Sequence, residues 1–222
     1  MKRICLCTLS SLIVFSALAQ DSTTVNSGKM MLVTPMAVKT RFGIAAGINE
    51  AKVQTENAPG FSTTMRTSFH VGAFINIPLG TTFRFQPGLM FSGQGSKVAQ
   101  SIGTSTTNYD LSLHYINIPM MLQWQTKSGF FLELGPQPGV LISAKNKPSA
   151  GGANTDVIDN YDKFDIAGAG GIGFLSRIGI GFNARYITSF KNANKETSST
   201  DKSQWRNQVI QLGLVYHFGA FK

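Results

Sequence analysis

Few residues of this chain are of the types that do chemistry, and one group of them is spaced suggestively. Gly168-Ala169-Gly170-Gly171-Ile172-Gly173 fits G-x-G-x-x-G, the spacing that lets a tight turn seat a pyrophosphate on a helix N-terminus. The ionisable candidates are more scattered. Of the three histidines, His70, His114 and His217, only His114 has a carboxylate, Asp110, close to it in sequence. A general base needs a geometric partner, and no nucleophile accompanies this pair, so no catalysis and no enzyme are expected. Cys5 and Cys7 are the only cysteines, and no metal-ligand spacing occurs, so neither a metal nor a cofactor is expected. Four further charges stand out because the runs that hold them are otherwise almost uncharged: Arg84, Glu133, Asp165 and Arg185.

What must position the glycine motif decides what it is. A dinucleotide loop opens a helix with its own 3.6-residue stripe, and none follows. Instead Phe164, Ile166, Gly168, Gly170, Ile172 and Phe174 share one parity, while Asp165, Ala167, Ala169, Gly171 and Gly173 share the other. The next run alternates as well, with Ile178, Ile180, Phe182, Ala184 and Tyr186 against Gly179, Gly181, Asn183 and Arg185. Period two argues strand, and glycine in a strand gives room for a neighbour's side chain. Asn183 and Arg185 are expected beside Gly171 and Gly173. Gly168 and Gly170 look the other way, where leucine should be accepted.

The same alternation runs through "SFHVGAFINIPL", "TFRFQPGLMFSGQG", "YINIPMMLQWQ" and "FLELGPQPGVLIS". Eight strands follow, at 41–49, 68–79, 81–95, 111–125, 130–144, 163–174, 178–190 and 207–218. The connections at Gly80, 127–129 and 175–177 are short. Those at 50–67, 96–110, 145–162 and 191–206 are long and polar. Short and long connections in alternation predict an all-β, eight-stranded antiparallel up-and-down transmembrane β-barrel, with short turns and both chain ends in the periplasm.

Face chemistry agrees. One face of each strand is apolar and the other holds glycine, serine and amides, where a soluble protein would carry charge. Eight strands leave an interior that side chains just fill, and buried charges there must pair. Arg84, Glu133, Asp165 and Arg185 balance in sign and are expected to form a structural ion-pair network in the lumen. Phe69, Phe83, Trp124, Phe130, Phe131, Phe164, Phe190, Tyr216 and Phe218 lie near strand ends, as interfacial girdles require.

The N-terminus reads as an export signal. Lys2 and Arg3 precede an uncharged, mostly apolar run that ends in Ala17-Leu18-Ala19, the pattern of a cleaved signal peptide. The expected organisation is signal peptide 1–19, periplasmic linker or plug 20–40, barrel 41–218 and tail 219–222. Without Lys2 and Arg3, 18 basic residues face 11 acidic ones. No basic run of the nucleic-acid type appears. The positive balance of an exported chain is better matched to outer-membrane lipid and lipopolysaccharide head groups.

In the order of its motifs, "RFGIAAGIN" (41–49), "FHVGAFINIPL" (69–79), "FRFQPGLMFSGQG" (83–95), "YINIPMMLQW" (115–124), "FLELGPQPGVLISAK" (131–145), "YDKFDIAGAGGIGF" (161–174) and "QLGLVYHF" (211–218), the chain resembles the PorT-like outer-membrane β-barrel proteins. The resemblance implies an outer-membrane location and, for some members, a link to protein secretion. It also implies recognition of a terminal aromatic, Phe218 or Phe221 here, by the barrel assembly machinery. The expected function is non-enzymatic: a monomeric structural, adhesion or secretion-accessory component with a protein partner at its four outer loops. The alternatives are an exported soluble lipocalin-like barrel holding a small apolar ligand, and a narrow pore.

Overall fold

The computed structural model describes residues 39–56, 60–102, 104–149, 151–190 and 204–219. The chain divides into units Met1–Met36 and Ala37–Lys222, and all described residues belong to the second. The expected signal peptide, most of the 20–40 segment and the end of the tail lie outside the described residues.

Eight wall strands form the barrel: β1 Arg41–Glu56, β2 Phe61–Thr64 with Arg66–Pro78, β3 Phe83–Ile102, β4 Ser105–Asn117 with Met120–Gln125, β5 Phe130–Pro148, β6 Phe164–Leu175, β7 Ile180–Ser189 and β8 Gln204–His217. Each pairs antiparallel with the next, and β8 pairs with β1 through Gly43↔His217 and Ile48↔Leu212, which closes the ring. Closure leaves no open edge. In lipid that is required of any β-structure, because an unpaired backbone group there has no water to bond.

Chemistry at the short ends explains the direction changes. Thr126-Lys127-Ser128-Gly129 and Ser176-Arg177-Ile178-Gly179 are equivalent turns: the fourth residue is a positive-φ glycine (φ 100 and 87) whose N–H donates to the first residue's carbonyl at 3.1 Å. Glycine reaches that conformation without steric cost. β4 is interrupted at Ile118-Pro119, yet Ile118 N–H still bonds Pro138 O (2.8 Å) and Pro119 O accepts from Gly88 N–H (2.9 Å), so the wall is continuous.

Alternation holds on every strand within the lipid band. Phe42, Ile44, Val71, Leu89, Leu122, Leu134, Ile172, Phe182 and Leu214 are exposed, while Asn49, His70, Asn76, Gln86, Gln123, Glu133, Asn183, Arg185 and Gln211 are buried in the lumen. On β4 the outward row runs from Trp124 to Ile116 and His114. Ten residues of a strand tilted about 40° rise roughly 25 Å, the height of the apolar band of such barrels. Phe131, expected in a girdle, instead points inward and is buried, its ring filling the space over Gly173.

The expected loop boundaries need correction. Residues 96–102 and 105–110 are strand, as are 50–56 and 145–148. These segments lack apolar outward residues because they stand above the lipid, in water. Their ladder continues unbroken, Lys97↔Asp110 and Ile102↔Ser105 included.

Candidate functional site

The lumen holds the four charges singled out from the sequence, Arg84, Glu133, Asp165 and Arg185. Glu133 on β5 and Arg185 on β7 both stand in register with Gly171 of β6, which lies between them. Cα atoms two strands apart are roughly 9.5 Å from each other, and a side chain on the intervening residue would block the way. A Cβ on Gly171 would fall 2.9 Å from Arg185 Cγ and 2.5 Å from the Ala184 carbonyl oxygen. Glycine therefore lets Arg185 cross to Glu133, where Nε donates to Oε1 at 2.5 Å and Nη2 to Oε2 at 3.1 Å. The motif that resembled a phosphate loop is the saddle of an ion pair. Around Gly173 the expected Asn183 does not fill the space; Phe131 does. Gly168 faces outward as expected but is covered by the Phe190 ring, whereas a Cβ on Gly170 would meet Leu134 Cδ1 at 3.4 Å and Glu133 O at 3.9 Å.

From Glu133 the network continues through amides. Gln123 Nε2 donates to Glu133 Oε2 (2.9 Å), Asn76 Nδ2 to Gln123 Oε1 (2.9 Å), and Arg84 Nη1 to Asn76 Oδ1 (3.3 Å). The Asn183 amide, oriented to satisfy both ends, donates to Gly213 O and accepts from Arg185 Nε, each at 3.2 Å. The structure thus links Arg84, Glu133 and Arg185. It places Asp165 elsewhere, on the outer half, where it accepts from Ser189 Oγ at 2.7 Å. A second network joins Asn49 to Ser92 Oγ (3.0 Å), Gly93 O (2.8 Å), His70 Nδ1 (2.9 Å) and Gln211 Nε2 (3.1 Å). Hydrogen-bonded polar groups survive burial; an unpaired one costs about 1–3 kcal/mol.

Toward the outside the lumen changes character. Val53, Val98, Leu111, Leu113, Tyr115, Leu141 and Ala144 form a buried apolar cluster, with Tyr161 of the β5–β6 connection packed into it. That connection is tied down by Val157 N–H to Ala144 O (3.0 Å) and Leu141 N–H to Lys163 O (2.7 Å). Burial pushes the Tyr161 phenol above its usual range. Each fully buried leucine here contributes about 1.5–3 kcal/mol. Sequence reasoning missed this cluster. The signal was present, since Leu111 and Leu113 share the inward parity of Asn117 and Gln123.

Outside the wall, His114 stacks on Phe91 (5.5 Å) and Asp110 accepts from Arg66 Nε at 2.6 Å. Four residues along a strand separate these two by roughly 13 Å, so His114 and Asp110 are not an acid–base pair. Among the described residues no group of three or more His, Cys, Asp or Glu gathers as metal ligands would.

A closed ring of eight strands, apolar outside and filled inside, is a transmembrane β-barrel. The family model described as outer membrane protein beta-barrel domain matches residues 19–195. The chain belongs to that family and resides in the bacterial outer membrane. Solved structures similar to it include Ail, the attachment invasion locus protein of Yersinia pestis (14% identity, 81% of this chain and 99% of that one, TM-score 0.46). They also include Neisserial surface protein A, NspA (13%, 80% and 97%, 0.49), and the outer membrane protein OprG of Pseudomonas aeruginosa (12%, 80% and 95%, 0.45). A search of curated proteins finds no match.

Proposed function

We propose that the protein is a non-enzymatic, monomeric outer-membrane scaffold that presents its outer rim to a partner, as a structural, adhesion or secretion-accessory component of the PorT-like kind. The observation that carries this reading is the wall's continuation above the lipid band. From Phe91 to Ile102 and back from Ser105 to His114, β3 and β4 form one uninterrupted hairpin that rises roughly 25 Å beyond the girdle. A hairpin braced by a buried apolar cluster is a preorganised platform, and preorganisation lowers the entropic cost of binding. The Glu133–Arg185 network and the outer apolar cluster oppose the pore reading, and the same filling weighs against a lipocalin-type ligand. Cleavage of residues 1–19, lipopolysaccharide around the wall, and recognition of Phe218 or Phe221 by the assembly machinery belong to the same reading. Phe218 is exposed beside Tyr216 at the end of β8, and Phe221 lies outside the described residues.

The test shortens the β3–β4 hairpin by joining Ser96 to Leu111 through a two-residue turn. The shortened barrel should still show heat-modifiable gel mobility and leave vesicles impermeable, while cells lose surface attachment or secretion. Ion conductance by the wild-type protein would refute the scaffold reading in favour of a pore. Unchanged attachment and secretion in the shortened variant would remove the platform from it.

A further inference from the structure

The periplasmic mouth of the lumen is built differently from the rest of it. Arg41 begins β1, Arg84 lies one residue into β3 and His217 ends β8, and all three have the inward parity of their strands. Register brings them to one level: Arg41 pairs with Asn76, the residue that accepts from Arg84 Nη1 at 3.3 Å, and His217 pairs with Gly43, two residues along β1 from Arg41. The His217 ring packs edge-on against Phe74 at 4.9 Å, which fixes it against the wall. Both guanidiniums act electrostatically on His217, and Arg41 acts on Arg84.

The described side chains gathered at this mouth are predominantly cationic. Among the described residues the lumen's periplasmic half holds a single carboxylate, Glu133, and it is already engaged by Arg185 and Gln123. The neighbouring turns add Lys127 and Arg177, again without an acidic residue. Arg84 Nε and His217 Nδ1 are buried with no hydrogen-bond partner, although His217 is 4% exposed. Unmet polar atoms occur elsewhere in the lumen, at Ser96, Asn117, Gln137, Asn207 and Gln211, but there they are hydroxyls and amides. At the mouth the unmet nitrogens belong to a guanidinium and an imidazole grouped with a second guanidinium, which defines a place for an acceptor that carries negative charge. A planar guanidinium fork presents paired N–H groups to an oxyanion, and a half-enclosed mouth weakens solvent screening.

We propose that the periplasmic mouth is an anion site that takes a phosphate group, with the Arg84 guanidinium as its principal contact, His217 as its second and Arg41 supplying further positive charge. The phosphate is free phosphate or the phosphorylated end of a lipid reaching round the rim. This site is independent of whatever engages the outer hairpin.

The test uses the full mature protein refolded in an uncharged maltoside detergent, with the temperature midpoint of the heat-modifiable gel shift as readout. Inorganic phosphate at ten times its Kd should raise the midpoint by about 3–5 °C, and chloride at equal ionic strength should not. Arg84→Gln should abolish the phosphate-dependent rise, Arg84→Lys should reduce it, and Arg177→Gln, on an exposed turn, should leave it unchanged. Broadening of the phosphorus-31 signal by wild-type protein gives the same answer without a variant. Phosphatidylglycerol added to the micelles distinguishes the sources: a rise with the lipid but not with free phosphate supports the site and assigns it to a head group. No phosphate-specific or lipid-specific rise in the wild type, or an equal rise in Arg84→Gln, would overturn the proposal.

Discussion

Removing Arg185 is the sharpest perturbation of the lumen. The Glu133 side chain is wholly shielded from solvent and the Arg185 side chain 4% exposed, so neither charge has water to fall back on. At a separation near 4 Å and an effective dielectric of about 20, their attraction is about 4 kcal/mol. Arg185→Met keeps much of the volume and leaves Glu133 with Gln123 and no cation. Breaking a buried pair from one side typically costs about 3–5 kcal/mol, whereas replacing both partners with apolar groups is often close to neutral. Arg185→Met should therefore lower the stability of the barrel in phosphatidylcholine vesicles by about 3–5 kcal/mol, and Glu133→Leu should do the same by stranding Arg185. The double variant should recover most of the loss, which makes the coupling strongly non-additive. Urea titration, read by tryptophan fluorescence and heat-modifiable mobility, measures all four corners of the cycle. Single variants that each cost under about 1 kcal/mol and add independently would show that the pair is hydrated and screened, and the filled-lumen argument against a pore would go with it.

Two further predictions concern the wall. Gly170→Leu should be tolerated, because a Cβ there meets Leu134 at an ordinary 3.4 Å; Gly171→Leu should cost at least the ~1–3 kcal/mol of overpacking, and equal effects in refolding titrations would refute the saddle. Leu134 is 71% exposed, so Leu134→Lys should cost roughly 2–4 kcal/mol in lipid; wild-type stability would show that this position does not face the acyl chains.

The ring of eight strands was legible because each strand writes its two environments in alternate residues. Ile172 and Phe182 could face only lipid, and Gly171 and Arg185 only the lumen. The Glu133–Arg185 pair was legible as sign-balanced charge on the inward parity. Its geometry was not, because it depends on which residue of β6 lies between them, and a one-residue change of register would have put Ile172 there. Asp165 was grouped with that pair on sign alone, yet it stands near the outer end of β6, beside Ser189. Gly168 shows a different limit: its parity gave the right face, but Phe190, which covers it, comes from the far end of the next strand. The outer halves of β3 and β4 looked like loops because apolar outward residues were the criterion, and above the lipid there is no reason for them.

Above the girdle β3 and β4 keep their phase and exchange their polarity. Below, water is shut out on the outward side and amides fill the inside; above, Lys97 and Asp110 meet water outside while Val98, Leu111 and Leu113 are buried within. One strand therefore satisfies two solvents of opposite demand. A one-residue slip of β4 would turn Asn117 and Gln123 to lipid and Leu111 and Leu113 to water together, so its register is specified twice over. β5 meets the same demand with a bulge. Its inward residues are odd-numbered through Leu141, and Ile142 is the extra residue where Tyr115 pairs with Leu141 but His114 with Ser143. An uninterrupted strand would have carried Lys145 into the apolar cluster, where an unpaired ammonium is prohibitively costly. The bulge shifts the phase by one, so that Ala144 packs inside against that cluster and Lys145 and Lys147 reach water. A bulge bends its strand and strengthens the local twist, and this one stands where the wall leaves the lipid, so a single extra residue corrects the facing of β5 at the boundary between its two solvents.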